Sequence, residues 1–216
     1  MPPSSEPAAA GKGAQTRRAI LDAAIARFGR EGYRSTSVAD IARDAAVGGT
    51  VAYAYFPSKE ALFLAAVDED AAGVIEEALS RAFSETNAPD WWQTLVATLV
   101  DALKHHPLAR RLLAGLEPEV TARVLEMPAL AELRKACADQ LHTDQRAGTV
   151  RDDIDVTAVA NGIVAIMLSL LMAVVQVGGD ATRLYGADIA AVLDAAIRAS
   201  PRPTATRSSR ASRGNR

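Results

Sequence analysis

Apolar residues recur at helical spacing along most of this 216-residue chain. In the first such segment, Ile20, Ala24 and Phe28 stand four positions apart, which places them on one face of a helix. Thr16 is a suitable cap for the start of this helix, and Gly32 is a suitable end. We find no stretch in which apolar and polar residues alternate as in a half-buried strand, so the pattern predicts an all-α fold.

The next segment is interpreted as two short helices. Ser37 and Asp40 form a capping box, in which side chains satisfy backbone N–H groups at a helix start, so a helix is expected from Val38 to about Ala45. After a brief turn, a second short helix runs from about Gly49 to Tyr55 and stops before Pro57. Two short helices joined by a tight turn after a supporting helix form the outline of a helix-turn-helix.

The remainder of the chain is also predicted to be helical. The helices are separated at Asn87, Pro107, Pro118, Pro128 and Gly148. Residues 156–179 include no charged residue and are long enough to cross a membrane. We favour a helix enclosed in protein, because polar residues interrupt the run and acidic residues flank it. One face is expected to meet the chain's own core and the other a partner subunit.

Composition and charge refine this picture. Cys137 is the single cysteine, so no internal disulfide or cysteine metal cluster can form, which favours a cytoplasmic protein. The N-terminus lacks the apolar run of a signal peptide, and residues 1–14 are expected to form a disordered arm. Residues 1–60 carry 8 Lys/Arg and 6 Asp/Glu, residues 61–199 carry 11 and 20, and residues 200–216 carry 5 arginines and no acid. The middle of the chain should therefore repel nucleic acid, whereas the basic tail is either a disordered, solvated terminus or a weak phosphate contact.

Residues 16–66 resemble the DNA-binding region of the tetracycline-repressor (TetR) family of transcriptional regulators. The resemblance is carried by ILDAAIARFGREGY, STSVADIARDAAV and YAYFPSKEALF in register, and by GTVRDDIDVTAVANGIVA, which is similar to the segment entering the family's eighth helix. It implies nine helices, with a helix-turn-helix domain over residues 15–61 and a helical regulatory and dimerisation domain over residues 62–199. It also implies a homodimer formed by the last two helices, a palindromic double-stranded DNA operator, and an effector of unknown identity bound in the C-terminal domain.

The second short helix departs from the family pattern. From Gly48 to Phe56 it has no Arg, Lys, Asn or Gln, the side chains that usually distinguish base edges. Thr50 offers a hydroxyl and a methyl group, and Val51 and Ala52 offer apolar contacts to thymine methyl groups. Phe56 is expected in the core. Donors to phosphates are plentiful nearby, and the expected DNA-binding residues are Arg17, Thr36, Ser37, Arg43, Gly48, Gly49, Thr50, Val51, Tyr53, Tyr55 and Lys59.

Apolar side chains of the C-terminal half are the candidates for an effector pocket: Phe83, Trp91, Trp92, Leu112, Leu113, Met167 and Leu171. The tryptophan pair is alternatively an anchor for a helix start. His105 and His106 are interpreted as residues at a helix end that interact with its dipole. Asp152, Asp153 and Asp155 precede a helix, where negative charge is favourable without a metal. No nucleophile elbow, Walker loop or HExxH motif is found, so the sequence indicates no enzyme, cofactor or metal site.

The leading hypothesis is a dimeric, ligand-responsive transcription repressor in the cytoplasm, without membrane contact. A second hypothesis keeps this architecture but makes the protein a broad or architectural DNA binder, because its recognition helix lacks the side chains that usually distinguish bases. A third is a helical small-molecule-binding protein or enzyme that has lost sequence-specific DNA binding. Salt-dependent binding to one operator supports the first, similar affinity for many sequences the second, and no binding at low salt the third.

Overall fold

The computed structural model describes residues 6–83, 91–118, 126–178 and 180–198. Apart from one isolated bridge between Val150 and Arg198, this part of the chain is free of β-structure, which confirms the all-α prediction. Its helices are α1 (Glu6–Glu31), α2 (Val38–Asp44), α3 (Gly49–Tyr55), α4 (Lys59–Ala82), α5 (Trp91–Ala102), α6 (Pro107–Leu113), α7 (Pro128–Ala147), α8 (Val156–Val177) and α9 (Asp180–Ile197).

The first core is built by α1, α2, α3 and the first half of α4, together with Leu108 and Leu112 of α6 and with Met127. Ile20, Ala24 and Phe28 are fully buried, as their spacing predicts. The Phe28 and Tyr33 rings stack with 6.1 Å between centroids, and Phe63 of α4 meets them at 4.9 and 4.8 Å. Because Phe63 belongs to this core, the predicted domain boundary falls inside α4, and the two halves of the chain share that helix.

A second core fills the C-terminal half, between the rest of α4 and α5, α7, α8 and α9. Leu95, Leu141 and Ile163 are among its fully buried side chains. Cys137 is buried in the same core. Burial raises the pKa of its thiol to about 12, so at neutral pH the thiol is not a reactive nucleophile.

One face of α8 packs against the chain's own core, as predicted. Ile163 and Met167 are buried in the chain, whereas Ala165 and Ser169 are exposed. Among the described helices, α8 alone is long and apolar enough to cross a membrane, and 33% of its most apolar stretch is buried within the chain. The rest of that stretch keeps apolar surface that another contact would cover.

The N-terminus differs from the prediction. Helix α1 begins at Glu6, so much of the arm expected to be disordered over residues 1–14 is helical. This stretch is rich in alanine, the residue that most favours helix, and extending an existing helix is easier than starting one. Thr16 is therefore not a cap, and its hydroxyl donates to the Lys12 carbonyl at 2.9 Å. The predicted tail, residues 200–216, lies outside the described residues.

Candidate functional site

The turn between α2 and α3 sets the direction of α3. The Ser37 hydroxyl oxygen caps α2 by accepting the Asp40 N–H at 3.1 Å, which confirms the predicted cap. After α2 ends, Ala46 adopts a left-handed conformation with a φ of 55°. Helix α3 then spans Gly49–Tyr55, the range expected from the sequence. The two short helices thus form a helix-turn-helix whose second helix lies at the surface.

Replacing Ala46 with glycine is expected to raise the free energy of unfolding by about 0.5–1 kcal/mol. A left-handed residue with a Cβ costs about 1–2 kcal/mol, and the greater freedom of glycine in the unfolded chain offsets part of that gain. Urea denaturation measures the change. Ala45→Gly is the control, because Ala45 has a φ of −77° and gains nothing from glycine. If both variants are destabilised alike, the turn carries no strain at Ala46.

Helix α3 presents one face to the protein and the other to solvent. Ala52 is fully buried, and Phe56, four positions later, is 4% exposed, so Phe56 belongs to the core as predicted. The expectation that Ala52 contacts thymine methyl groups is wrong, because the four-residue spacing puts it on the inner face with Phe56. The exposed residues are Gly48, Gly49, Thr50, Val51, Tyr53, Ala54 and Tyr55.

Three predicted DNA-binding cations lie on helices next to α3. The Arg17 guanidinium is 5.2 Å from the centre of the Phe56 ring, and Lys59 Nζ is 4.4 Å from the centre of the Tyr33 ring. Arg43 forms an ion pair within α2, yet 73% of its side chain is exposed. The two ring contacts hold cations beside α3 without neutralising them. These three predicted DNA-binding cations lie on α1, α2 and the start of α4, the helices next to α3.

Two predicted phosphate donors have other partners. Thr36 is 3% exposed and its hydroxyl donates to the Gly32 carbonyl at 2.8 Å, so its side chain is not available to DNA. The Ser37 hydroxyl donates to the Asp40 carboxylate at 2.6 Å, and this hydrogen bond lowers the pKa of Asp40. Both hydroxyls stabilise the approach to α2, a role that sequence alone does not distinguish from phosphate contact.

The C-terminal half contains an apolar cavity of about 70 Å³ between α4, α5, α6, α7 and α8. Every side chain that lines it within the described part of the chain is Ala, Val, Ile, Leu or Met. Four of the predicted pocket residues are among them: Leu112, Leu113, Met167 and Leu171. Sequence reasoning missed the contributions of α4, α5 and α7, such as Val74, Leu99 and Leu133.

The other three predicted pocket residues are not among those that line this cavity. The Phe83 and Trp91 rings lie 5.7 Å apart, where the end of α4 meets the start of α5. The Trp91 indole N–H donates to Asp144 of α7 at 3.1 Å, and Trp92 is 3% exposed in the same core. These aromatic residues anchor the start of α5, the alternative that the sequence left open for the tryptophan pair.

Helix α6 connects the cavity with the N-terminal half. Ala109 lines the cavity. Pro107 packs against Gly29 of α1 so closely that a Cβ at position 29 would lie 2.7 Å from the Pro107 Cβ. Asp70 of α4 is 4% exposed and accepts the N–H groups of Leu108 and Ala109 at 2.9 and 2.8 Å. The start of α6 is thereby held by both α1 and α4.

The paired histidines do not end a helix, contrary to the prediction. Helix α5 stops at Ala102, and a turn separates it from Pro107, which begins α6. His106 Nδ1 lies 2.8 Å from Asp70 Oδ1, so His106 joins the junction of α4 and α6. His105 is exposed, with 64% of its side chain accessible.

The acidic cluster before α8 has the structural role expected of it. Asp155 accepts the N–H groups of Thr157 and Ala158 at 2.9 and 3.1 Å and so caps α8. Asp153 forms an ion pair with Arg151, with a closest separation of 2.5 Å. Helix capping and local pairing account for these two carboxylates without a metal.

An apolar groove runs along the outer surface between α8 and α9. Tyr185 and Val192 of α9 are 55% and 62% exposed. The groove is lined by Ala165, Ile166, Ser169, Leu170, Ala173, Tyr185 and Ile189. Exposed apolar surface of this kind commonly marks a protein–protein contact.

Known proteins share both the sequence motif and the fold. Residues 20–66 match the family model for bacterial regulatory proteins of the tetR family. Over 159 residues the chain is 31% identical to the A-factor receptor protein of Streptomyces griseus. That match covers 70% of this chain and 52% of the receptor, so the chain spans about half the length of this relative.

Solved structures extend the likeness to nearly the whole described chain. A TetR-family transcriptional regulator from Mesorhizobium loti matches with a TM-score of 0.67 and 22% identity, over 87% of this chain and 99% of that one. A gamma-butyrolactone receptor matches with a TM-score of 0.51 and 25% identity, over 87% and 90%. With its matching helix-turn-helix segment and the same helical layout, the chain belongs to the TetR family of bacterial regulatory proteins.

Proposed function

We propose that the chain is a cytoplasmic transcriptional repressor that binds a palindromic operator as a homodimer and responds to a small molecule in its C-terminal cavity. The observation that carries this proposal is the double contact of α6, which lines the cavity and packs against α1. An effector that favours a different spacing of the two α3 helices weakens DNA binding, and DNA weakens effector binding by the same factor.

The proposed DNA contact centres on the outer face of α3. Thr50, Val51 and Tyr53 would enter the major groove, while Arg17 and Lys59 approach the phosphates on either side. Tyr55, Arg43 and the glycines at the start of α3 complete the proposed contact surface. In the dimer the two α3 helices would meet half-sites about 34–36 Å apart, one turn of DNA. The side chain of Thr36 is left out of this surface because it is buried.

The homodimer is proposed to form through α8 and α9. These helices carry the outward apolar groove and the exposed Tyr185 and Val192. A second copy of the same surface related by twofold symmetry would cover both grooves at once. This arrangement accounts for an α8 that is apolar on its outer as well as its inner face.

The proposed effector buries an alkyl chain. A polar group inside the cavity would lose its hydrogen bonds to water, and the described lining side chains supply no donor and no acceptor stronger than a methionine sulfur. One structural relative is a gamma-butyrolactone receptor. A lactone ring needs hydrogen-bond partners, so for a ligand of that class we place the alkyl tail, not the ring, among these side chains.

Binding of straight-chain alcohols is expected to tighten about fourfold with each added CH₂ group until the cavity is full, because each buried CH₂ contributes about 0.8 kcal/mol. Isothermal titration of the full chain with alcohols of increasing length measures this slope. A terminal diol of the same length is the matched control and is expected to bind much more weakly. Equal affinity for the alcohol and the diol would exclude an alkyl-selective cavity.

The proposed function is tested by selecting duplexes from a randomised DNA pool with the purified full chain. The best duplex and a scrambled copy are then titrated at two salt concentrations. We expect the selected duplex to be palindromic and to bind more tightly than the scrambled copy. This ratio of affinities should persist at the higher salt, because phosphate contacts weaken with salt for both duplexes alike. The double variant Thr50→Ala, Val51→Ala is expected to lose most of that advantage.

Each other outcome would indicate a different function. Equal and steeply salt-sensitive binding to both duplexes would overturn sequence-specific regulation and indicate a broad DNA binder. No binding at low salt would indicate a small-molecule-binding protein without DNA recognition. A selected palindromic duplex that binds the wild type and the double variant with equal affinity would refute the assignment of base reading to α3.

A further inference from the structure

The outermost atoms of α3 are unusual for a surface that reads DNA. Ala52 and Phe56 define the buried side, and at 100° per residue the opposite side is centred on Thr50 and Ala54. Val51 lies next to this centre and is 41% exposed. The three residues of this face project methyl groups, and the one polar atom among their side chains is the Thr50 hydroxyl.

The two glycines at the start of α3 are not required by the chain's own packing. Gly48 has a φ of −73°, which any residue adopts. A Cβ added to Gly49 would meet nothing within 4 Å, and one at Gly48 would meet the Val51 side chain at 3.9 Å. Glycine in a first helical turn lowers helix stability. Gly48 is the N-cap of α3, a position that glycine fills readily. Packing does not call for Gly49, and the open space there lets an external surface approach the backbone.

We infer that this chain reads its operator through thymine 5-methyl groups, contacted in the major groove by the methyl groups of Thr50, Val51 and Ala54. The thymine methyl is the apolar feature that the major-groove edge of a base pair offers. The inference rests on the proposed function, since it names what the DNA-binding surface recognises. Arg17, beside Phe56, and Lys59, at the start of α4, supply cations for phosphates near α3.

Replacing single thymines of the selected operator with deoxyuridine tests this reading, since the change removes only the 5-methyl group. We expect the dissociation constant to rise about fourfold at each contacted thymine, the effect of one lost apolar methyl contact. The loss should be confined to a few thymines in each half-site, related by the operator's symmetry. Thymines outside the half-sites should tolerate the change.

Variants assign the contacts to residues. Val51→Ala is expected to weaken binding to the thymine operator but to leave binding to the matching deoxyuridine operator nearly unchanged. Val51→Thr keeps one methyl group in the same shape and should retain most of the discrimination. Lys59→Gln is the comparison variant, because loss of a phosphate contact weakens both duplexes by the same factor. Val51 is exposed, and circular dichroism verifies that each variant is folded.

Failure of methyl-group reading can be distinguished from failure of the proposed function. A selective operator whose affinity is unchanged by deoxyuridine at every thymine overturns methyl-group reading and leaves the proposed function in place. Equal deoxyuridine losses for wild type and the Val51→Ala variant remove Val51 from the contact. Absence of any selected duplex overturns the proposed function and this inference together.

Discussion

Replacing Asp70 with alanine is expected to lower the free energy of unfolding by about 3 kcal/mol. The carboxylate is 4% exposed and accepts two N–H groups at the start of α6 as well as facing His106. Its removal leaves these buried groups without a partner, and each unsatisfied buried donor costs about 1–3 kcal/mol. For a chain of this size the melting temperature should fall by about 6–12 °C.

Two further variants separate this effect from a general loss of charge. Asp70→Asn keeps an oxygen that accepts the same N–H groups, so its loss should be about half that of the alanine variant. Asp139→Ala removes an exposed carboxylate that pairs with Lys135 at 2.8 Å, and its effect should stay within about 0.5 kcal/mol. Equal melting temperatures for the Asp70 and Asp139 alanine variants would mean that Asp70 does not hold α6.

Local signals in the sequence were sufficient for the helix-turn-helix. Ser37 and Asp40 act through atoms only three residues apart, and Pro57 ends α3 without help from the rest of the fold. The inner face of α2, with Val38 and Ile41 buried, follows from helical spacing. The start of α1 at Glu6 was missed because no single residue marks it, and helix propensity summed over many residues decides the outcome.

The junction of α4 and α6 was not predictable, because its partners are distant in sequence. Asp70 lies in an acidic run, DED, which resembles a solvated helix face, and its partners are 36 to 39 positions away. Trp91 similarly meets Asp144 53 positions later. Nothing local distinguishes an aromatic residue that lines a pocket from one that anchors a helix.

The cavity was predictable in part. Val164, Met167, Leu168 and Leu171 of α8 follow the spacing of a single helical face, and all four line the cavity. This periodicity is visible in the sequence, and the predicted pocket includes two of the four, Met167 and Leu171. The walls from α4, α5 and α7 depend on how these helices pack together, which the pattern within each helix does not determine.

Replacing Gly29 with valine is expected to lower the free energy of unfolding by about 3 kcal/mol. A Cβ at this position would lie 2.7 Å from the Pro107 Cβ and 3.0 Å from two backbone atoms of α6, so no side-chain rotation relieves the clash. Overpacking of this kind typically costs about 1–3 kcal/mol, and valine adds two further methyl groups at the same contact. Urea denaturation monitored by circular dichroism measures the loss.

Gly11→Val on the same helix is the matched control, since a Cβ there meets nothing within 4 Å and the effect should stay below about 1 kcal/mol.

The comparison of these two variants also bears on signalling. Helix α6 lines the cavity and touches α1 at Gly29. If the proposed function holds, forcing these helices apart should therefore weaken the response to effector, measured as the DNA affinity without effector divided by the DNA affinity with effector. A Gly29→Val variant as stable as Gly11→Val would show that α1 and α6 are not in fixed contact. A fully stable variant that still responds to effector would move the coupling to α4, the other helix shared by the two cores.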